Sequence, residues 1–115
     1  LPAAENELFG PVLSVMKFTD EEEVAKMMND NAYGLAAGLF TENNGIALRL
    51  SKNVRAGIVF VNTYRLISPI APFGGFKSSG FGRESGLEVI KDYSNTKTIW
   101  ISTSKDTIDD PFTVR

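Results

Sequence analysis

The sequence contains neither cysteine nor histidine. Without cysteine the chain can form no disulfide, no cysteine nucleophile and no thiolate metal site. Without histidine it can build no Ser-His-Asp triad, no imidazole general base and no histidine zinc site. Any chemistry of this chain must therefore use carboxylates, amines, hydroxyls or backbone groups, and we predict no metal site.

Basic excess and long apolar runs are also lacking. The 12 basic and 14 acidic residues give a net charge of -2, which argues against a nucleic-acid partner. No apolar run approaches the ~18 residues of a membrane span, and the first ten residues do not resemble a signal peptide. These features predict one domain at most and a cytoplasmic location. Since the chain starts at Leu1 and its first methionine is Met16, we expect a piece of a longer protein.

The first third of the sequence indicates a strand followed by a helix. Residues 12–18 are nearly all apolar, which is typical of a strand buried on both faces. Residues 19–22 fit a capping box in which Thr19 caps the helix and Glu22 reaches back. Apolar residues at helical spacing follow in residues 24–28.

The middle of the sequence continues this alternation. Residues 35–41 are a short apolar strand, a second helix begins at residues 42–44, and residues 58–61 are a continuous β-branched and aromatic run. The order strand, helix, strand, helix, strand predicts an α/β fold with parallel strands and helical crossovers. Ligands in such sheets gather at the carboxyl ends of the strands, where Asn62 and the loop of residues 63–72 lie.

The last third begins with a glycine-rich segment. Residues 80–86 (GFGRESG) do not fit a dinucleotide fingerprint, because the third glycine comes one residue late and no strand precedes it. A third helix is predicted over residues 83–93. Residues 96–103 then alternate as a strand does, and a polar tail follows.

Three segments follow one another along the chain: residues 7–12 (ELFGPV), residues 31–38 (NAYGLAAG), and residues 57–62 with 72–84. In order and spacing they resemble the aldehyde dehydrogenase superfamily. Residues 7–12 (ELFGPV) are similar to its E-x-F-G-P-V segment, and residues 31–38 (NAYGLAAG) to its N-x-x-Y-G-L-A-A segment. Residues 57–62 (GIVFVN) with 72–84 (PFGGFKSSGFGRE) resemble its G-x-x-x-V-N … P-F-G-G-x-K-x-S-G-x-G-R-E signature. The tail around Asp109 and Asp110 resembles that of some betaine-aldehyde-like members.

The resemblance implies the C-terminal βαβαβ part of the catalytic domain in residues 1–82. A returning helix would follow in 83–95, an oligomerisation strand in 96–103 and a tail in 104–115. The family oxidises aldehydes to carboxylic acids with NAD or NADP and forms dimers or tetramers. An aldehyde and further copies of the chain are the implied partners, and the choice between NAD and NADP stays open.

The resemblance also implies two cofactor contacts. Glu7 would bind the hydroxyls of the nicotinamide ribose, because a carboxylate can accept two hydroxyl hydrogen bonds. Phe9 would pack against the nicotinamide ring. From residue type alone, a surface carboxylate before a strand is the favoured role of Glu7, and the surrounding F-G-P match reverses that preference. Phe9 could instead be an ordinary core residue, or serve both roles.

The substrate tunnel is the next implied site. Asn62 would support the loop that lines it, and Ile67 and Phe73 would form part of an apolar wall suited to an aldehyde chain. Family members differ in substrate preference at residues 64–67, so Tyr64 is a specificity candidate. Ile67 and Phe73 could instead be loop anchors.

Glu84 matches a glutamate assigned to a proton relay in betaine-aldehyde-type members. Its alternative role is a charge at a helix N-terminus. The position of Lys77 and the carbonyl of Gly80 would lie near a monovalent cation site in that subgroup, which we do not predict here.

The nucleophile of the family is a cysteine that lies upstream of residues 7–12, as does the glutamate base. The resemblance therefore implies that this chain alone is inactive and that the activity belongs to a longer enzyme. Two alternatives remain open: a non-catalytic oligomerisation or binding module derived from this fold, and an unrelated small α/β ligand-binding domain.

Overall fold

The structure is a computed structural model that describes residues 2–107, 110 and 112. Of the predicted tail, residues 108, 109, 111 and 113–115 lie outside the described residues, and so does Leu1. The elements in chain order are α1 (Pro2–Glu5), α2 (Glu21–Asn29), β1 (Tyr33–Gly34), β2 (Ala36–Leu39), α3 (Asn44–Asn53), β3 (Ile58–Val61), β4 (Phe76–Lys77) and α4 (Val89–Asp92). Among the described residues, no helix has the length and apolar character that a bilayer crossing requires.

A β-α-β unit forms the centre of the molecule. Strands β2 and β3 are parallel, with Ala36 opposite Ile58, and α3 connects them. The Asn43 side chain begins α3 by accepting a hydrogen bond from the Ile46 amide at 3.1 Å. The buried apolar residues of the described chain all lie on or beside this unit: Leu39, Ala47, Leu50 and Val54. The α/β class predicted from the sequence is confirmed.

A second, antiparallel pair joins distant parts of the sequence. β1 pairs with β4, which places Tyr33 opposite Lys77 and Gly34 opposite Phe76. The sequence did not indicate this pair, because each strand has only two residues and lies in a segment rich in turn-forming residues. The pair fastens the glycine-rich segment to the turn that precedes β2.

The strand predicted for residues 12–18 is wrong for this structure. Those residues belong to no strand and are all exposed, including Leu13 and Val15. A strand needs a neighbour for its backbone N–H and C=O groups, and the described chain provides none here. The apolar composition identifies a segment that needs to be covered, but composition alone cannot supply its partner.

The third helix is shorter than predicted. Only Val89–Asp92 is helical, not residues 83–93. Glu84 forms a β-bridge with Phe73, and Ser85 and Gly86 have φ values of 61° and 68°, which are incompatible with an α-helix. Residues 96–103 are exposed and belong to no strand. Their assembly role and the domain boundaries stay predictions.

Candidate functional site

The carboxyl ends of β2 and β3 are joined by Asn62. Its side-chain oxygen accepts from the Thr41 amide at 2.9 Å, and its side-chain nitrogen donates to the Thr41 carbonyl at 2.9 Å. Its backbone φ of 53° lies in the left-handed region, which asparagine tolerates better than most residues. Asn62 is therefore a strand-end connector, in the position where ligands of parallel sheets gather.

The loop after Asn62 carries the predicted specificity residues. Tyr64 and Ile67 are both exposed, and the Tyr64 ring meets Phe60 edge-on with centroids 6.2 Å apart. Arg65 has a φ of 55° and turns the chain sharply after Tyr64. The loop is thus anchored at its start by one aromatic contact, and its apolar side chains are open to an occupant.

Residues 73–84, named here the glycine-rich loop, are closed at their ends by a backbone bridge. The Phe73 amide donates to the Glu84 carbonyl at 2.7 Å, and the Glu84 amide donates to the Phe73 carbonyl at 2.8 Å. Phe73 is half-buried and Glu84 is exposed. The structure therefore brings these two predicted site residues together, and a groove of about 620 Å³ runs beside them.

The glycine-rich loop is packed on residues 29–34. The Ser78 amide donates to the Ala32 carbonyl at 2.9 Å, and the Gly34 amide donates to the Ser79 hydroxyl at 3.0 Å. The Lys77 ammonium donates to the carbonyls of Asn29 and Asn31 at 2.9 and 3.1 Å. Two of the segments that carried the family resemblance are thus direct structural partners.

Close backbone approach explains two glycines of these segments. A Cβ on Gly34 would lie 2.5 Å from the Arg55 carbonyl oxygen. A Cβ on Gly57 would overlap the Gly74 carbonyl oxygen. Only glycine leaves room for these contacts, which pack the glycine-rich loop against the start of β3.

The two predicted cofactor residues do not line the groove beside Phe73 and Glu84. Glu7 lines a separate groove of about 710 Å³, together with Met27, Tyr33 and Arg55. Phe9 is 97% exposed, so the core role considered for it is excluded in this structure. The Glu7 groove and the groove beside Phe73 share only Leu35 and Ser79 in their linings.

The predicted residues therefore form three groups: Glu7 and Phe9 near the N-terminus, Asn62 to Ile67 after β3, and the bridged pair of Phe73 and Glu84. No local sequence signal indicates a role for Asn29 or Arg83. Asn29 donates to the Asn53 carbonyl at 2.9 Å and accepts from the Arg55 amide at 2.7 Å. Arg83 is one residue of the family signature, but the signature does not indicate what its side chain contacts. In the part of the chain that the structure describes, no three metal-ligating side chains cluster.

Comparison with protein families gives a match to the aldehyde dehydrogenase family over residues 1–99. The chain belongs to the aldehyde dehydrogenase family. The resemblance found from three segments is thereby confirmed. The match begins at the first residue and ends at Ile99, within the predicted oligomerisation strand.

Curated relatives of this family are far longer than this chain. The (Z)-2-((N-methylformamido)methylene)-5-hydroxybutyrolactone dehydrogenase of Acinetobacter baylyi is 52% identical over 109 residues, which are 95% of this chain and 22% of that protein. The betaine aldehyde dehydrogenase of Brucella melitensis is 42% identical over 109 residues, with the same coverage of 95% and 22%. The chain thus spans about a fifth of the length of the curated relatives it matches.

Solved structures of the family share the backbone arrangement. A mutant of the AldA indole-3-acetaldehyde dehydrogenase of P. syringae, solved with NAD+ and IAA, superposes with a TM-score of 0.79 at 45% identity. The match covers 84% of this chain and 20% of the P. syringae chain. The fold described above is therefore that of a segment of an aldehyde dehydrogenase.

Proposed function

We propose that this chain is the C-terminal segment of an NAD(P)-dependent aldehyde dehydrogenase that oxidises an aldehyde to a carboxylic acid. The observation that carries the proposal is the glycine-rich loop, closed by the Phe73–Glu84 bridge and packed on residues 29–34. This arrangement packs two family segments against each other near the amino ends of β2 and β3. Family membership and the likeness to an NAD+ complex support the same assignment.

The chain offers a limited set of contacts to the cofactor. Glu7 is an exposed carboxylate at the edge of a groove, so it fits the hydroxyls of a ribose. Phe9 projects into solvent, where its ring is free to cover an apolar face of a nicotinamide. When bound, the nicotinamide would accept the hydride. The role of this chain would be to orient that end of the cofactor.

The substrate end would use residues of the other two groups. Ile67 and Phe73 would supply an apolar wall, and Tyr64 would influence which aldehyde chain fits. Asn62 would hold the start of this wall through Thr41. Glu84 would hold or release a proton at its carboxylate, which is exposed and reachable through water.

The absence of cysteine leads to a proposal about the isolated chain. Because no residue here can attack an aldehyde as a thiolate, the 115-residue chain would be inactive alone and would contribute to a longer enzyme.

The test is an assay of the full-length protein that carries this chain, with NAD and NADP compared and a panel that includes betaine aldehyde and indole-3-acetaldehyde. We expect aldehyde-dependent reduction of one or both cofactors, and no reduction with the 115-residue chain. Glu7→Gln should raise the KM for the cofactor, and Phe73→Ala the KM for the aldehyde, each on the order of tenfold. Absence of cofactor reduction by the full-length protein with every aldehyde would refute the proposal.

An assembly role has its own supporting observation. Residues 96–103 are exposed and form no strand within this chain, and Trp100 is 92% exposed although large apolar side chains are usually covered. We propose that this segment pairs with a strand of a neighbouring subunit. Trp100→Asp should shift the sedimentation of the full-length protein towards smaller species. The control Tyr93→Asp alters a residue that is equally exposed but lies outside the segment, and it should leave sedimentation unchanged.

If the full-length protein forms a specific oligomer and reduces no cofactor, the non-catalytic assembly module becomes the better assignment. If Trp100→Asp leaves the oligomer intact, the assembly role of residues 96–103 is refuted, and the catalytic proposal is unaffected.

A further inference from the structure

Two cations in the glycine-rich loop are bound by backbone carbonyls. Arg83 donates from one guanidinium nitrogen to the Gly75 carbonyl at 2.9 Å and to the Gly82 carbonyl at 2.6 Å. Lys77 donates from its ammonium to two carbonyls of residues 29–31. Within the described part of the chain, neither side chain forms an ion pair with a carboxylate. Their charges are therefore directed to holding backbone rather than to pairing with an acid.

Arg83 closes the glycine-rich loop on itself. Its guanidinium carbon lies 5.0 Å from the centroid of the Phe76 ring, so the side chain folds back across the interior of the loop. A Cβ on Gly74 would lie 2.8 Å from the Arg83 Cδ and 2.6 Å from the Gly82 oxygen. Gly74 thus leaves the space through which the Arg83 side chain passes. The two ends of the bridge, Phe73 and Glu84, are adjacent to these contacts.

Lys77 fastens the same loop to the rest of the molecule. One acceptor belongs to the last residue of α2, Asn29, and the other to Asn31 just beyond the helix. Backbone carbonyls at this end of a helix lack helical partners, and the helix dipole favours a cation there. Its φ of 53° is unfavourable for a lysine and is compensated by these bonds. The Asn29 side chain bonds the Asn53 carbonyl and the Arg55 amide, so the attachment continues to the start of β3.

We propose that Lys77 and Arg83 are positioning residues that together fix the glycine-rich loop and so set where Phe73 stands in the substrate wall. The proposal rests on the proposed function, in which Phe73 lines the path of the aldehyde. Neither cation touches substrate or cofactor in this proposal. Each acts through the backbone, because a charged donor bound to two carbonyls holds both more strongly than a neutral donor does.

Hydrogen exchange of the full-length protein tests the positioning independently of activity. We expect Lys77→Met and Arg83→Met to speed amide exchange at Ser78 and Glu84 by about tenfold or more, since each removes charge-assisted hydrogen bonds. Two matched controls remove the same charges elsewhere: Lys26→Met breaks a surface pair with Glu22, and Arg49→Met breaks the pair with Glu21. The controls should leave the exchange of the glycine-rich loop unchanged.

If Arg83→Met or Lys77→Met cannot be produced folded, the conservative variants Arg83→Lys and Lys77→Arg replace them. Arg83→Lys keeps a donor near the carbonyls but loses the planar fork, so loop exchange should rise by less than in the methionine variant. Loop exchange equal to that of the unaltered protein in a folded methionine variant, or in Arg83→Lys, overturns the proposal.

Steady-state kinetics then connect the loop to the substrate wall. We expect the KM for the aldehyde to rise about tenfold in both methionine variants, while the KM for the cofactor changes less than about twofold. In Arg83→Ala, added guanidinium at millimolar concentration should partly restore the aldehyde KM. A merely structural loss, as in Arg49→Met, would not be rescued in this way. An unchanged aldehyde KM in the methionine variants overturns the proposal, whether or not their kcat falls.

The kinetic and exchange measurements distinguish failure of the proposed function from failure of the positioning role of Lys77 and Arg83. If the unaltered full-length protein oxidises no aldehyde, the proposed function fails. The exchange data still decide whether the two cations hold the loop. If the unaltered protein is active and the variants keep their aldehyde KM, only the positioning role fails.

Discussion

Unusual backbone angles are concentrated in one part of this chain. Among the described residues other than glycine, positive φ values occur at Asn62, Arg65, Lys77 and Ser85. All four lie in the region that follows β3 and contains the substrate-wall candidates. Residues in such conformations cost of order 1–3 kcal/mol each, and surrounding bonds must compensate. At Asn62 and Lys77 the compensating hydrogen bonds are visible, which is consistent with a segment held in place for function.

The close approach of Gly57 to Gly74 can be tested by substitution. Gly57→Ala should destabilise the region around β3 by about 1–3 kcal/mol, because a Cβ would overlap the Gly74 carbonyl oxygen and force the glycine-rich loop outward. Hydrogen exchange of the β3 amides in the full-length protein measures this opening free energy.

Gly10→Ala is the matched control, because a Cβ there would meet nothing within 4 Å. It should change local stability by less than about 0.5 kcal/mol. Equal effects of the two substitutions would contradict the close-approach explanation.

The sequence predicts only some of these contacts between individual residues. Gly34, Gly57 and Gly74 match glycine positions of the family segments at the expected spacing. The match did not show that Gly34 faces Arg55 or that Gly57 faces Gly74, because those partners are distant in sequence. The position of Asn62 at a strand end was predictable, since β3 is a continuous apolar run that ends there. The two hydrogen bonds between Asn62 and Thr41 depend on the parallel pairing of β2 with β3.

The start of α2 shows how short-range sequence signals determine where a helix begins. The sequence predicted a capping box from Thr19 to Glu22. In the structure, the cap is Asp20, which accepts from the Glu23 amide at 2.8 Å, and Glu23 reaches back to the Thr19 amide at 2.7 Å. The N-cap is therefore one residue later than predicted. Thr19 and Asp20 can both cap a helix, and Glu22 and Glu23 can both reach back, so the sequence does not choose between them.

The shifted box gives a prediction about helix stability. Asp20→Ala should weaken the first turn of α2 by about 1 kcal/mol, since it leaves the Glu23 amide without its side-chain acceptor. Thr19→Ala should cost less, because the backbone amide of residue 19 can still donate to Glu23. Hydrogen exchange of the Glu23 amide compares the two variants, and a larger effect of Thr19→Ala would restore the capping box that the sequence predicted.

A bidentate ion pair connects α2 to α3. Arg49 donates to both carboxylate oxygens of Glu21, each at 2.8 Å. The hydrogen bond from Arg49 lowers the pKa of Glu21 below its ordinary value of 4.5. A carboxylate with a lowered folded-state pKa stabilises the fold above its ordinary pKa, and this contribution is lost as the pH falls through the lowered value.

The pH dependence of Glu21→Gln follows from this sign. The substitution should lower the thermal unfolding midpoint of the full-length protein at pH 7, and the difference from the unaltered protein should shrink as the pH falls below about 4.5. Glu22→Gln is the control, since its pair with Lys26 is exposed at the surface and should matter little at any pH. A difference that grows on acidification would contradict the assignment.

The whole molecule is much more extended than a self-contained domain of its length. Its radius of gyration is 23.4 Å, whereas a compact chain of this size would have about 13 Å. Its buried apolar residues, among those described, are Leu39, Ala47, Leu50 and Val54. Residues 12–18 and 96–103 leave apolar side chains exposed outside this small core. Such a surface is expected where other parts of a protein should pack.

The behaviour of the isolated chain follows from that surface. We expect the 115-residue chain alone to self-associate or to lack a cooperative fold, because exposed sheet edges and apolar segments associate readily. Sedimentation should show species larger than a monomer, and a dye that binds apolar surface should fluoresce far more than with the full-length protein. A sharp monomeric unfolding transition with low dye binding would contradict this expectation.

The family and the β2-α3-β3 unit could be predicted from the sequence, and so could the position of Asn62 at the end of β3. Periodicity, capping residues and glycine spacing are local properties, so they can be read in chain order. Tertiary structure alone decided that the glycine-rich loop packs on residues 29–34, that Arg83 crosses it past Gly74, and that residues 83–88 are not helical. It also left residues 12–18 unpaired despite their strand-like composition. The physical reason is the same in each case: a backbone group or apolar face is satisfied only by a partner, and partners distant in sequence leave no local signal.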